Sequence, residues 1–467
     1  VGTTVKQKQE MKNKTRLFGT DGIRGQVEQF PLDGASLVKL GCALGFSGRG
    51  AKIVIGRDTR GSGPYIEKMV AAGFSAAATQ AGGSHPLEIT CCGVIPTPGL
   101  SFVTASHDFD WGIMITASHN PYTDNGIKIF GSDGEKIPDS LEAEIEDRFF
   151  QLETPRYSSA PSLRCSNQKE TYQRFLFHHA SGLRGVLAPL KLRIILDCAH
   201  GAASEIAPPV FGEAGVEAEV IHAAPDGRNI NRECGSTHME QLKAKVIAQE
   251  ADLGIAFDGD GDRVLFVAPD GRTLDGDYTL YLVSQLFLRT RLHQDFNKIV
   301  VGTVMGNLGL EKALGKIGIT YLRTAVGDKY VLQEMKHRQA ILGGEQSGHT
   351  ILRSFQKTGD GILTALYFLT ALSELGIKPA DLVNQLTLYP QVTQSIRVKE
   401  KIELARWDRL KKMTTAFNDR YRDNSRLLVR YSGTEPIIRV MMEAEEQSII
   451  DENLGKFADL IQRTIGA

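Results

Sequence analysis

The sequence predicts an α/β protein made of three related α/β domains with mixed, mostly parallel sheets, followed by a C-terminal α+β domain. Three observations carry this. At 467 residues the chain exceeds what a single hydrophobic core organises. Three segments open alike, Lys52-Ile53-Val54-Ile55-Gly56, Leu192-Arg193-Ile194-Ile195-Leu196-Asp197 and Lys298-Ile299-Val300-Val301-Gly302, each a continuous apolar run leading into a small-residue turn and a helix-like stretch. Runs that are apolar at every position suit strands buried on both faces, as in parallel sheets with helical crossovers. After Pro379 the pattern changes: Val392 to Val398 alternates, a charged helix-like stretch follows, and two further apolar runs precede a final helix.

In chain order, the first domain is expected over residues 11–155. Within Gly63 to Gly82, Met69, Val70, Phe74 and Ala77 recur at helical spacing. Residues 1–10, ahead of Met11, are given no structural weight. A polar connector from Glu153 to Glu170, with Pro155, Pro161 and three serines, leads into the second domain, residues 156–270. The third, 271–388, has a helix-like stretch from Leu308 to Gly315 and a strand-like Ile319-Thr320-Tyr321-Leu322. The fourth covers 389–467.

Composition narrows the function. Lys+Arg 54 against Asp+Glu 55 leaves a net charge of -1, so no global field draws the chain to nucleic acid or an anionic membrane. Any bound anion must be held by local cations. The six cysteines include one adjacent pair and no Cys-x-x-Cys, which fits neither a zinc site nor a disulfide framework. No stretch approaches 18 apolar residues, and the expected compartment is the reducing cytoplasm.

Two serines sit beside histidines. Ser118, in Thr116-Ala117-Ser118-His119-Asn120-Pro121, follows the apolar Gly112-Ile113-Met114-Ile115 and is succeeded by Asn125-Gly126-Ile127-Lys128, a turn and a cation. Its near copy, Thr104-Ala105-Ser106-His107-Asp108, runs into Phe109, Asp110 and Trp111, whose acidic neighbours would repel an incoming phosphate. A serine becomes a nucleophile only with a proton acceptor and something to stabilise developing charge. Ser118 is therefore the candidate, and Ser106 an ordinary helix end or loop.

Asp258-Gly259-Asp260-Gly261-Asp262-Arg263 follows the strand-like Leu253 to Phe257. Glycines let three carboxylates converge, and three close like charges require a cation among them. An EF-hand needs Gly sixth and Glu twelfth, where this chain has Arg263 and Pro269. Three carboxylates leave room for waters and a phosphate oxygen, which suits Mg²⁺.

Further on, Gly344-Glu345-Gln346-Ser347-Gly348-His349 offers a carboxylate, an amide, a hydroxyl and an imidazole for a polyhydroxylated ligand. Arg430-Tyr431-Ser432-Gly433-Thr434-Glu435-Pro436 with Arg439 combines two guanidinium forks, hydroxyls and a glycine, the parts of a phosphate cradle. Gly19 to Gly25 is a glycine-rich turn carrying Arg24, a composition too common to decide anything alone. No P-loop is present: the segment Gly309 to Ile317 has the wrong spacing.

Taken together, these motifs resemble the α-D-phosphohexomutase family, over nearly the whole chain from Leu17. The resemblance implies four domains around a central cleft, with a phosphate carried on Ser118 and Mg²⁺ held by that phosphate with Asp258, Asp260 and Asp262. It implies that Glu345 and Ser347, with His349 nearby, read the sugar, and that Arg430, Ser432, Gly433, Thr434 and Arg439 grip the substrate phosphate. Arg24, His119 and Lys128 fall at positions similar to active-centre residues, Lys128 as a candidate general base, and Arg263 is placed with the substrate-binding set. A hinge near residues 386–392 is expected to open and shut the cleft.

The loops at 18–25, 327–331, 344–349 and 432–436 are most similar to the bacterial branch acting on glucosamine phosphates. Thr116 and Tyr431 depart from it, where Ser and Lys are usual. The implied reaction interconverts a hexosamine 6-phosphate and 1-phosphate through a sugar bisphosphate, feeding amino-sugar nucleotide and cell-wall precursor synthesis. A phosphomannomutase/phosphoglucomutase is the alternative, and a metal-dependent sugar phosphatase a further one. The expected partner is a small hexosamine or hexose phosphate, with no nucleic acid or membrane, and the expected state a monomer or homodimer.

Overall fold

The structure, a computed structural model, describes residues 16–19, 21–47, 52–82, 87–155, 163–165, 167–290, 294–432 and 436–467. The chain divides into two compact units. One runs to Val304 and resumes over Leu322–Val383; the other comprises Met305–Tyr321 and Asn384–Ala467.

In the first unit, the leading sheet has the order Ile23–Gln26, Asp124–Gly131, Trp111–Ile115, Lys52–Arg57, Glu88–Val94, Arg164–Cys165. Lys52–Arg57 pairs in parallel with both Trp111–Ile115 and Glu88–Val94, as its fully apolar run predicts. Asp124–Gly131 pairs antiparallel with Trp111–Ile115 and with Ile23–Gln26. Helices Gly34–Gly45 and Gly63–Gln80 bury Leu37, Val38, Val70 and Phe74 in a core shared with Ile53, Ile55, Trp111 and Ile113.

A second sheet has the order Thr273–Leu274, Val264–Val267, Leu253–Phe257, Ile194–Asp197, Ala218–Ile221. Ile194–Asp197 is parallel to both neighbours, and Val264–Val267 returns antiparallel to Leu253–Phe257. In a third, Ile299–Thr303 runs parallel to Leu342–Gly344, which pairs antiparallel with Thr350–Leu352. The second unit contains the antiparallel sheet Gln391–Arg397, Ile437–Ala444, Ser425–Tyr431, packed by helices Asp408–Tyr421 and Gln447–Ile465 around Ile438, Val440, Phe417 and Phe457.

The mixed character of the sheets has a consequence for function. Every loop singled out for its chemistry joins two antiparallel neighbours: 116–123, 258–263, 345–349 and 432–436. A strand, fully buried in the first three cases and half-buried in the last, delivers the chain to the sheet end, and its antiparallel return fixes both ends of the loop. No helix among the described residues is long and apolar enough to cross a membrane.

Candidate active site

Ser118 lies on the first of these loops, fully buried and with φ at 51°, a left-handed conformation uncommon outside glycine. Its Oγ donates to Asp258 Oδ2 at 2.6 Å and lies 3.5 Å from His119 Nδ1. Its N–H donates to Thr116 Oγ1 at 2.9 Å, and the Thr116 hydroxyl donates in turn to Asp58 Oδ2 at 2.7 Å. Threonine thus supplies the hydroxyl that a serine would at this position. Ser106, by contrast, is exposed at the end of helix Thr97–Ser106, and its neighbour His107 is engaged with Thr171.

Asp258, Asp260 and Asp262 are all buried, and one oxygen from each lies within 4.8 Å of the others. Gly259 permits this approach: a Cβ there would come within 2.6 Å of the Ser118 carbonyl oxygen and 2.8 Å of Asn231 Nδ2. Lys128 Nζ donates to Asp260 Oδ2 and to Asp262 Oδ2, each at 2.8 Å, and lies 3.6 Å from Asp21. Burial opposes the Lys128 ammonium, but Asp21, Asp260 and Asp262 overcome it and hold the group well above the usual lysine range. In this arrangement Lys128, expected as a base, is a charged donor. Burial raises the carboxyl of Asp258, and the adjacent Asp260 and Asp262 push it further up.

A divalent cation fits these residues. The buried Oδ1 atoms of Asp260 and Asp262 accept no hydrogen bond, and the donor set is all oxygen, suited to a hard ion. Lys128 supplies one charge to three carboxylates, so the cluster remains electron-rich.

Arg24, on strand Ile23–Gln26, donates through Nη1 to Ala117 O at 3.3 Å and Asn120 Oδ1 at 3.2 Å, and pairs with Asp21 through Nη2. Arg263 donates its backbone N–H to Asp258 Oδ1 at 3.1 Å, and its Nη1 lies 3.2 Å from His119 Nδ1. Since a guanidinium only donates, His119 Nδ1 is the acceptor and its proton resides on Nε2. Burial, then Arg263 and Arg24, push His119 down to about 4, so it is neutral at physiological pH.

His349 turns inward from the loop at 344–349 and is buried. Gly359 N–H donates to its Nε2 at 2.9 Å, leaving the ring proton on Nδ1, 3.7 Å from Asp262 Oδ1. Glu345 accepts from Gly327 N–H at 3.1 Å, and Ser347 is exposed. The first unit thus brings Ser118, His119, Lys128, Arg24, the three aspartates, Arg263 and His349 into one connected network. Asp21, Lys136 and Asp328 extend it, with Lys136 paired to both acids. Sequence reasoning passed over Lys136 and met Asp21 and Asp328 only within the loops at 18–25 and 327–331, without a role, because each is an ordinary charge until the fold makes it a neighbour.

In the second unit, Arg430 and Arg439 stand directly opposite across an antiparallel pair. Like charges at such a position are unfavourable without an anion, and Arg430 is pushed below the usual range by burial and then by Arg439. Ser432 is buried, and its carbonyl accepts from Lys401 Nζ at 2.9 Å, a further cation that sequence reasoning missed. The Tyr431 hydroxyl accepts from Ile402 N–H and donates to Ile402 O, so this departure serves the fold. Gly433 and Thr434 lie outside the described residues.

Known proteins resemble this chain over nearly its whole length. Family models described as phosphoglucomutase/phosphomannomutase match residues 15–156 (alpha/beta/alpha domain I), 174–271 (domain II), 275–389 (domain III) and 395–460 (C-terminal domain). A phosphoglucosamine mutase from Koribacter versatilis is 42% identical over 467 residues, covering 97% of each chain. Among solved structures, a phosphoglucomutase/phosphomannomutase family protein from Burkholderia thailandensis superposes with a TM-score of 0.77 at 22% identity, over 97% of this chain and 99% of that one. N-acetylphosphoglucosamine mutase from Aspergillus fumigatus, solved in complex with GlcNAc-6P and magnesium, is similar at a TM-score of 0.64 and 17% identity, over 97% and 96%.

Proposed function

Since this chain belongs to the phosphoglucomutase/phosphomannomutase family of isomerases, we propose that it interconverts glucosamine 6-phosphate and glucosamine 1-phosphate, with Ser118 carrying the transferred phosphoryl group. The observation that carries the reading is the 2.6 Å hydrogen bond from Ser118 Oγ to Asp258, which joins the only serine hydroxyl on this loop to the aspartate cluster. The choice of sugar follows the relative from Koribacter versatilis, similar over nearly its full length. The four family matches, in the same chain order, support domains at 11–155, 156–270, 271–388 and 389–467.

In the proposed cycle, phosphoserine 118 passes its phosphoryl group to the free sugar hydroxyl. The P–O bond to Ser118 breaks and one to the sugar forms, giving a bisphosphate. The bisphosphate turns, and its other phosphoryl group returns to Ser118. Transfer of this kind asks the protein mainly for alignment and charge neutralisation. Asp258, Asp260 and Asp262, with an oxygen on Ser118, would hold Mg²⁺, which when bound supplies Lewis-acid neutralisation of phosphoryl charge.

Arg24 and Arg263 flank Ser118 and offer further cations. His119 Nδ1, 3.5 Å from Ser118 Oγ, accepts from Arg263 and holds that guanidinium beside the serine. Lys128 screens the aspartates and becomes a base only if its ion pairs open. Glu345 and Ser347 are assigned to the sugar hydroxyls, and Arg430, Arg439 and Ser432, with Gly433 and Thr434, to a phosphate.

Rates measured on glucosamine, mannose and glucose phosphates, with Mg²⁺ and a catalytic amount of the corresponding bisphosphate, test the proposal. Fastest turnover on the glucosamine phosphate is expected. Comparable rates on the mannose phosphate would overturn the sugar assignment, and release of inorganic phosphate without isomerised product would overturn the mutase reading.

A further inference from the structure

Behind the Ser118 loop sits a group that the reaction does not touch. Arg60 is fully buried, and its Nε pairs with the equally buried Asp58 at 2.9 Å. Its remaining donors all go to backbone carbonyls of one short segment: Nη2 to Ser118 O at 2.9 Å and Asn120 O at 2.8 Å, Nη1 to Asp124 O at 2.9 Å and to Pro121 O. From a different part of the chain, Asn231 Nδ2 donates to the same Ser118 O at 2.8 Å and Asn120 O at 3.1 Å. The Ser118 carbonyl therefore receives two donors from two segments, and the space between is so tight that only a glycine fits at 259.

The geometry points to Arg60 and Asn231 as positioning residues for phosphoryl transfer, clamping the Ser118 peptide in its left-handed conformation so that Oγ stays on the Asp258 oxygen. A planar guanidinium with five donors can engage four carbonyls and a carboxylate at once, whereas an ammonium has no such fork. Without the clamp the residue is free to relax towards commoner backbone conformations, which swings Oγ away from Asp258. Arg60 also brings its charge already neutralised by Asp58, so it orients the loop without competing for the phosphate. Asp58 is held by Thr116 and by the Arg60 N–H as well, which closes the support on itself.

The inference rests on the phosphoserine reading and is tested with Arg60→Lys and Asn231→Gly in the full chain. Glycine at 231 accepts the φ of 57° found there while removing both donors. Two readouts are taken: kcat and KM for glucosamine 6-phosphate with Mg²⁺, and the rate at which intact mass shows one phosphoryl group arriving on Ser118 from glucose 1,6-bisphosphate. Expected are falls in kcat of roughly 100-fold for Arg60→Lys and roughly 10-fold for Asn231→Gly, at KM changed by less than about threefold, with phosphoryl uptake slowed by the same factors, since a misplacement of about 1 Å costs on the order of 100-fold.

Cooperatively melting variants that keep kcat and uptake within about twofold of the parent would overturn the role, as would raised KM at unchanged kcat. If Arg60→Lys does not fold, Asn231→Gly decides. A parent that takes up the phosphoryl group but does not isomerise glucosamine phosphate refutes the sugar assignment, and the uptake rates still decide on the clamp. A parent that takes up none at Ser118 refutes both.

Discussion

Replacing Lys128 with methionine would test the charge balance on which the site depends. The ammonium contacts Asp260 and Asp262 at 2.8 Å each and Asp21 at 3.6 Å, with its side chain about 1% exposed. Methionine fills a similar volume and removes the charge, leaving buried carboxylates unpaired. Breaking a buried ion pair from one side costs about 3–5 kcal/mol. The carboxylates can recover part of this by protonating, so the lower end of that range is expected. Urea denaturation at pH 7.5 in the presence of a chelator measures it. The same titration with excess Mg²⁺ should return much of the loss, because a ligand that binds only the folded state stabilises it by mass action, and without Lys128 the cluster keeps Arg263 beside Asp262 as its nearest guanidinium. The stability gained on adding Mg²⁺ should thus be larger in Lys128→Met than in the parent. A loss under about 1 kcal/mol in chelator, or a loss of equal size with and without Mg²⁺, would refute the reasoning, since either would mean that Lys128 and the metal do not share the aspartates.

Thr116→Ser should retain activity within about twofold, whereas Thr116→Val strands the Ser118 N–H, the Asp58 oxygen still accepting from Arg60 Nε, and should cost about 1–3 kcal/mol, read by denaturant melts alongside kcat. His119 is pushed down to about 4, so the pH profile of kcat/KM should show no ionisation from it between about pH 5.5 and 8, and His119→Asn should lower the rate without moving the profile. Asp360 caps helix Gly361–Leu375, and burial pushes its carboxyl up to about 6. A raised folded pKa means the folded state holds the extra proton, so the stability linked to that proton is full below pH 3.8 and is lost as pH rises through 6, a total loss of about 3 kcal/mol. Asp360→Asn keeps an oxygen for the Leu363 N–H but sets an NH2 group against Tyr172 and Gln356, and should flatten the stability profile between pH 4 and 6; an unchanged profile would refute the assignment.

What could be read without the fold had local causes. Three aspartates spaced by glycines announce a cation because few other arrangements tolerate them, and the acidic residues after Ser106 separate it from Ser118 by charge alone. The strands at 52–57, 194–197 and 299–303 follow from runs that are apolar throughout. What stayed hidden was tertiary. Asp58-Thr59-Arg60 is an unremarkable acid and base after a strand, and only the sheet order brings it beneath the serine loop. Asn231 carries no signal at all, since its partners lie more than a hundred residues earlier. Lys128 was visible as a cation near Ser118, but its protonation depends on Asp260 and Asp262 across a sheet boundary. The antiparallel return behind each functional loop was also hidden, because a strand buried on both faces looks the same in either direction.

The central claim is that Ser118 carries the group that moves. Full-length protein is loaded with glucose 1,6-bisphosphate, freed of excess donor, and mixed with glucosamine 6-phosphate and Mg²⁺ in a single turnover while intact mass is followed. The account predicts one phosphoryl group on the loaded protein, mapped to Ser118, which leaves as glucosamine 1,6-bisphosphate forms and returns as glucosamine 1-phosphate appears, with Ser118→Ala inert and Ser106→Ala unaffected. Isomerisation by Ser118→Ala at the parent's rate, or a phosphoryl group on Ser118 that never transfers to the sugar, would contradict it.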